Sequence, residues 1–128
     1  MLRILFAFII INYTALGFSQ EAVFFVKKGL HKFHKSNEGD TLEHTFIIEN
    51  HGDNDLIIYN YEVECSCTNV IIPEQTIAPG KTSTLTFTFN TDGRPFLQDR
   101  KIRLVTNTKN KEEYLRFKVF VKPKKLKG

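Results

Sequence analysis

The sequence of 128 residues contains no tryptophan, one methionine and two cysteines. After its first 19 residues it has no apolar run long enough to span a bilayer. It also lacks the G-x-S-x-G, H-E-x-x-H and glycine-rich phosphate-loop patterns of common enzyme sites. We therefore expect neither an integral membrane protein nor an enzyme, and we expect no cofactor.

Net charge is also small, because 18 Lys and Arg stand against 14 Asp and Glu, which gives +4. This surplus is too small to favour nucleic acid as a partner. Positive and negative charges are nevertheless separated along the sequence, since residues 37–80 contain no Lys or Arg whereas residues 99–128 are strongly basic. Cross-strand ion pairing within one sheet would explain the separation. The alternative is a molecule with opposite electrostatic faces that steers a partner.

The N-terminus has the pattern of a cleaved secretory signal. Arg3 supplies the positive start, residues 5–11 supply the apolar run, and the small residues Gly17 and Ser19 precede the cleavage point. We predict that residues 1–19 are a signal peptide, because the apolar run is too short to act as a membrane anchor. The mature protein is expected in an exported compartment, most simply the periplasm, with the cell surface or the medium as alternatives.

Alternation of apolar and polar residues dominates the remaining chain. In residues 82–90, Leu85, Phe87 and Phe89 share one face and threonines share the other, which is typical of a half-buried antiparallel strand. The same period predicts further strands at residues 42–48, 102–104 and 114–121. Residues 56–63 start apolar on both faces, as expected for a central strand, and residues 22–26 and 70–72 are expected to form short edge strands. No long window shows a helical stripe.

Turn residues separate these strands, and Pro79 with Gly80 fits the centre of a type II turn. Short strands with turns at these intervals predict an all-β fold, an immunoglobulin-like antiparallel β-sandwich of about seven to eight strands. We assign residues 20–121 to this single domain and residues 122–128 to a basic C-terminal tail.

Cys65 and Cys67 are the pair with obvious chemistry. In an extended strand their Cα atoms would lie about 6.5–7 Å apart, at or beyond the upper end of disulfide geometry, so a disulfide would require a bulge or turn. Three hypotheses follow: a structural pair, oxidised or simply packed; a Cu(I) or Zn²⁺ site formed by both thiolates; or a redox-active dithiol, which lacks the usual C-x-x-C spacing.

A metal would need more ligands than two thiolates, and the histidines give it weak support. His44 lies on the apolar face of its strand, where we expect a hydrogen-bonded core histidine. His31 and His34 lie in a lysine-rich segment and are expected to face solvent. The structural hypothesis for the cysteines therefore ranks above the metal hypothesis.

Two aromatic residues are candidate anchors for a protein partner. Phe120 falls on the outward phase of its strand, between Lys118 and Lys122, and Phe96 lies at the tip of a turn. Exposed aromatic side chains flanked by polar residues are typical of interaction sites. The alternative for Phe120 is packing under the N-terminal segment.

A family resemblance rests on several short motifs in a fixed order. They are Leu56-x-Ile58, Cys65-x-Cys67-Thr68, residues 77–80 (IAPG), residues 85–91 (LTFTFNT) with Gly93, and residues 105–107 (VTN). This sequence resembles the domain of unknown function 1573 family of short exported bacterial proteins, within the wider group of immunoglobulin-like domains related to PapD-type chaperones and the ASH domain. The resemblance implies a sandwich fold and an exported setting.

The resemblance has one informative departure. The family usually has Ser-Cys-Gly-Cys-Thr at the cysteine motif, whereas Glu64 and Ser66 occupy the first and third positions here. The missing glycine removes the easiest route to a tight turn.

Together these features predict a non-catalytic interaction or structural module of the bacterial cell envelope, an accessory subunit of a larger complex for example. It would present an outward sheet face or a sheet edge to a protein partner, with strand addition as one mode. Short edge strands and abundant Lys would equally protect against such pairing. The alternative function is a periplasmic thiol-based metal-binding protein. The identity of the partner and the oligomeric state stay open.

Overall fold

The computed structural model describes residues 20–125, so the predicted signal peptide and residues 126–128 of the predicted tail lie outside the described residues. Within this range the regular elements are β-strands, and no helix has the length and apolarity needed to cross a bilayer. In chain order the strands are β1 (Phe24–Phe25), β2 (Leu30–Lys32), β3 (Ser36–Asn37), β4 (Thr41–Asn50), β5 (Leu56–Val63), β6 (Thr68–Ile71), β7 (Thr76–Ile77), β8 (Thr82–Asn90), β9 (Phe96–Thr106) and β10 (Glu112–Lys122).

Two sheets pack face to face and confirm the predicted immunoglobulin-like sandwich. The four-stranded sheet has the order β1-β4-β8-β6, and the six-stranded sheet has the order β2-β10-β9-β5-β7, with β3 also pairing with β10. The long strands pair antiparallel, whereas β2 and β3 run parallel to β10. The N-terminal segment therefore changes sheets, because β1 joins β4 and β2 joins β10.

Large apolar side chains from both sheets fill the space between them. Leu85, Phe87 and Phe89 on β8 are fully buried, as are Leu115 and Phe117 on β10. The rings of Phe87 and Phe117 stack with their centroids 4.5 Å apart and so join the two sheets. Burial of each such side chain contributes roughly 1.5–3 kcal/mol. Since alternate residues of a strand face opposite sides, this core fixes which residues point outward.

The turn at Pro79 and Gly80 matches its sequence signal. Gly80 has a φ of 73°, and the Lys81 N–H donates to the Ala78 carbonyl at 3.0 Å, as the predicted type II turn requires. The side-chain amide of Asn50 donates to the carbonyl of Ile77 at 2.8 Å and ties the end of β4 to β7 in the other sheet.

His31 does not face solvent as predicted. It lies on β2 and stacks on His44 of β4, with ring centroids 3.5 Å apart and planes 10° apart. Parallel pairing places His31 beside the inward-facing Phe117 of β10, a register that a three-residue strand does not reveal in the sequence. Partial burial lowers the pKa of both imidazoles. Repulsion from His34 lowers the pKa of His31 further, and repulsion from His31 lowers the pKa of His44 further. The stacked rings of His31 and His44 therefore connect β2 of the six-stranded sheet to β4 of the four-stranded sheet.

Candidate functional site

The two cysteines lie in the turn that carries the chain from one sheet to the other. β5 ends at Val63 in the six-stranded sheet, and β6 begins at Thr68 in the four-stranded sheet. Between them Cys65 and Cys67 are joined by a disulfide, with Cα atoms 5.2 Å apart. This separation is shorter than that of an extended strand and within the usual range for disulfides. The local turn therefore supplies the geometry that an extended strand could not.

Main-chain hydrogen bonds hold this turn in place. The Thr68 N–H donates to the Cys65 carbonyl at 3.2 Å, and the Cys67 carbonyl accepts from the Asn90 N–H at 2.9 Å. Cys67 is buried and Cys65 is half-buried. The Cys67 N–H also donates to the Cys65 Sγ at 3.1 Å. The pair acts as a brace where the chain crosses from β5 to the sheet that contains β8.

The geometry gives a metal few protein ligands. Within residues 20–125 no group of three or more His, Cys, Asp or Glu side chains is arranged to hold a metal ion. Cu(I) or Zn²⁺ at Cys65 and Cys67 would require the disulfide to be reduced and would bind two thiolates. The metal hypothesis therefore stays a prediction, while the contacts favour a structural pair.

A second candidate site lies at one end of the outer face of the six-stranded sheet. Leu97 on β9 and Phe120 on β10 are direct cross-strand neighbours and are 64% and 41% exposed. Phe96, the first residue of β9, adjoins Leu97 in the chain but pairs with the buried Val121, so it lies off the outward phase that Leu97 and Phe120 share. It is 59% exposed and has a φ of 75°, a backbone conformation that bulky residues rarely adopt. We call Phe96, Leu97 and Phe120 the apolar tip. Adjacent exposed apolar side chains of this size are typical of interaction sites.

Lysines surround the apolar tip. The lysine rim consists of Lys32, Lys35, Lys118 and Lys122. Lys32 is the register neighbour of Lys118 across the β2–β10 pair, and the Lys35 Nζ lies 5.3 Å from the centre of the Phe120 ring. Asp99 faces Lys118 at 3.8 Å and supplies one negative charge beside the rim. The rim therefore carries a surplus of positive charge next to the apolar side chains.

Further along the same face, opposite charges pair across strands. Arg103 on β9 bonds Glu112 on β10, and it bonds Glu62 on β5 at 2.7 Å. The hydrogen bond between Arg103 and Glu112 raises the pKa of the guanidinium and lowers the pKa of the carboxyl. Arg116 bonds Asp99 in the same way and lowers the pKa of that carboxyl. The pair of Arg103 with Glu62 joins the acidic and basic segments across β9 and β5, as predicted, whereas the other two pairs lie within the basic segment.

Sequence reasoning found part of the apolar tip and its rim. Phe120, Lys118 and Lys122 share the outward phase of β10, as predicted, and Phe96 lies at the start of β9. Leu97 was missed, although the alternation of β9 itself places it outside. Lys32 had no sequence signal, because its position depends on the parallel pairing of β2 with β10.

Solved structures share this sandwich. A protein of unknown function from Porphyromonas gingivalis W83 superposes with a TM-score of 0.70 at 16% identity, covering 85% of this chain and 51% of that one. The secreted serine protease VesC from Vibrio cholerae gives 0.58 at 13% identity, with 80% and 23% covered. The PapD-like domain 7 of human CEP192, an ASH domain, gives 0.50 at 15% identity, with 84% and 89% covered. These likenesses show an immunoglobulin-like sandwich fold.

The family model "Protein of unknown function (DUF1573)" matches residues 24–121. The chain belongs to this family, as the sequence motifs predicted. It spans about half the length of the Porphyromonas gingivalis protein and about a quarter of VesC. The comparison with curated proteins finds no match.

Proposed function

We propose that this chain is an exported, non-catalytic interaction module of the bacterial cell envelope, which binds a protein partner through the apolar tip. In this proposal the sandwich is a rigid scaffold that holds the tip, the disulfide of Cys65 and Cys67 braces that scaffold, and the module serves a larger envelope complex. The signal-like N-terminus supports the exported setting.

The observation that carries the proposal is the exposure of the cross-strand pair Leu97 and Phe120, next to the strained backbone of Phe96. A left-handed φ at a residue other than glycine costs on the order of 1–3 kcal/mol. Phe96 is held in this conformation without burial, since 59% of it is exposed. Leu97 and Phe120 expose further apolar area beside it. The exposed pair of Leu97 and Phe120, with a strained aromatic residue adjoining it in the chain, supports a role in binding, and aromatic anchors commonly dominate the energy of protein interfaces.

The surroundings of the tip indicate the chemistry of the partner. A groove of about 270 Å³ lies beside Leu97 and Phe120, and it is lined by Lys32, Phe33, Leu97, Lys118, Val119 and Phe120. This volume is below the roughly 300–1,000 Å³ of typical small-molecule sites. Apolar walls with ammonium groups along their margin suit an extended protein segment that carries apolar side chains and carboxylates. The shallow groove also supports a binding role over catalysis.

Quantitative co-purification tests the proposal. The full chain is expressed with a C-terminal tag in its native host, as wild type and as the double variant Leu97→Ser/Phe120→Ser. We expect a discrete partner to co-purify from the envelope fraction with the wild type and to fall at least about tenfold in the variant, because the apolar anchors are lost. The matched control is Asn69→Ser, an exposed substitution on the four-stranded sheet, which should leave recovery unchanged.

Two results would count against the proposal. Equal recovery of the partner with the tip variant and the wild type would show that the tip is not the contact surface. A purified chain that is cytoplasmic and retains residues 1–19, as read from its intact mass, would contradict the exported setting.

A further inference from the structure

The four-stranded sheet has one long edge that is only partly covered by residues 20–125. β4 runs from Thr41 to Asn50, but β1 pairs with it at Glu49 and Asn50 alone. After Phe25 the chain leaves this sheet, and it next pairs at Leu30 with the other sheet. On this side, therefore, no described strand pairs with residues 41–48 of β4. An open strand of this length is a template for another strand.

Hydrogen bonds at the end of β4 show which backbone groups face the open edge. The Asn50 N–H donates to the Lys81 carbonyl on the β8 side, and the His51 N–H donates to the Val23 carbonyl on the β1 side. In an antiparallel sheet these directions alternate from residue to residue. The N–H and C=O groups that point to the open edge therefore belong to Glu43, Thr45 and Ile47.

Opposite charges lie near the two ends of the open edge, one on β4 itself and the other on the segment that follows β1. Glu43 is exposed at one end, and Ile47, 59% exposed, lies at the other. Lys27 and Lys28, which follow β1, line a shallow depression together with Val26 and residues 44–47 of β4. Thr45 lies midway and is exposed. When a twofold axis relates two copies of this edge, the acidic end of one copy faces the basic end of the other, so their charges are complementary.

We propose that β4 pairs antiparallel with β4 of a second copy of this chain, about a twofold axis at Thr45. Thr45 then lies opposite the partner's Thr45, and Glu43 lies opposite the partner's Ile47. Each Glu43 carboxylate approaches the partner's Lys27 and Lys28. About six main-chain hydrogen bonds close the edge, and the two four-stranded sheets become one continuous sheet. This association goes beyond the proposed function, because it uses the other sheet and none of the apolar tip.

A single engineered cysteine tests the position of the axis. Directly opposed residues in a hydrogen-bonded antiparallel pair have Cα atoms about 5.5 Å apart, which suits a disulfide. Mild oxidation of the full mature Thr45→Cys protein should therefore give a covalent dimer on a non-reducing gel. Thr84→Cys is the matched control, since Thr84 is also exposed but lies on β8, one strand further from the axis. Equal dimer yields from the two variants, or no dimer from Thr45→Cys, would overturn the proposal.

Charge reversal tests the pairing without a covalent bond. In sedimentation measurements the wild type should show a concentration-dependent monomer–dimer equilibrium, and Glu43→Lys should weaken the dimer about tenfold. Adding Lys27→Glu and Lys28→Glu to Glu43→Lys should restore it. A wild type that stays monomeric up to about 100 μM, or a triple variant that dimerises no better than Glu43→Lys, would refute the pairing.

A proline variant separates loss of pairing from loss of folding. Thr45→Pro removes an N–H that points to the open edge, so the ladder between β4 and β8 is kept. The variant should be monomeric with an unchanged circular dichroism spectrum, and a Thr45→Pro protein that is folded and still dimeric would contradict the proposal. Leu97→Ser/Phe120→Ser should dimerise like the wild type, which keeps this test distinct from that of the proposed function.

Discussion

The outer faces of the two sheets rest on the same alternation but carry different chemistry. The four-stranded sheet exposes threonines, and the hydroxyls of Thr45 and Thr86 hydrogen bond at 2.8 Å across β4 and β8. The six-stranded sheet exposes ion pairs such as Arg103 with Glu62, and the apolar tip at one end. Burial of the alternate residues fixes which side chains point outward, but it leaves their identity free. Surface chemistry therefore differs between the two outer faces, although both lie over the same buried core.

The separation of charge along the sequence follows from the six-stranded face. β5 comes from the acidic part of the chain, whereas β9 and β10 come from the basic part, and these strands are neighbours in one sheet. Arg103 and Glu62 pair across this boundary. The lysine rim lies beyond that pair, so its surplus positive charge is available to a partner.

The largest expected effect lies in the core that both faces share. Phe117→Ala removes a fully buried ring stacked on Phe87, so unfolding free energy should fall by about 3–5 kcal/mol. Thr84→Ala on the outer four-stranded face should change it by at most about 0.5 kcal/mol. Urea unfolding monitored by circular dichroism measures both. Similar losses for the two variants would contradict the assignment of inner and outer positions.

A smaller effect of opposite sign is expected at the apolar tip. Phe96→Asn should stabilise the fold by about 1 kcal/mol, because asparagine tolerates a positive φ better than phenylalanine does. The same variant should weaken capture of the partner. Lys111→Asn is the matched control, since Lys111 also has a positive φ, of 61°, but lies at the other end of β10. Lys111→Asn should stabilise the fold without affecting capture of the partner. A Phe96→Asn protein that is less stable than the wild type would argue against strain at the tip.

The smallest effect concerns the two histidines that join the sheets. Their pKa values are lowered in the folded chain, so the unfolded chain binds more protons as the pH falls below about 6.5. Stability should therefore be full above that pH and decrease as the pH falls through the folded pKa. Urea titrations at a series of pH values measure the slope. His44→Phe should flatten the slope of unfolding free energy against pH. An unchanged slope in that variant would show that the pair of His31 and His44 does not cause the pH dependence.

Strong alternation made the long strands predictable. The buried triplet of Leu85, Phe87 and Phe89 appears directly in the pattern of β8, and the turn at Gly80 follows from its local sequence. The short strands β2, β3 and β7 were not found, because two or three residues carry no period. They raise the strand number above the predicted seven to eight, and their pairing depends on tertiary contacts.

The candidate site was predictable to the extent that it lies on one strand. Phe120 with its neighbouring lysines could be placed outward from the period of β10 alone. The juxtaposition of Leu97 with Phe120 depends on the register of β9 against β10, and the approach of Lys35 depends on the path of the N-terminal segment. The turn at Cys65 and Cys67 was equally a matter of tertiary structure, since the chain must cross between sheets there.

Site-specific photocrosslinking in living cells tests the claim that the apolar tip contacts a partner most directly. A benzophenone amino acid is placed at position 120 in the tip and, as a comparison, at the exposed position 69 on the outer face of the four-stranded sheet. The account predicts a discrete adduct of higher mass from position 120 and none from position 69. An adduct from position 69 with none from position 120 would contradict it.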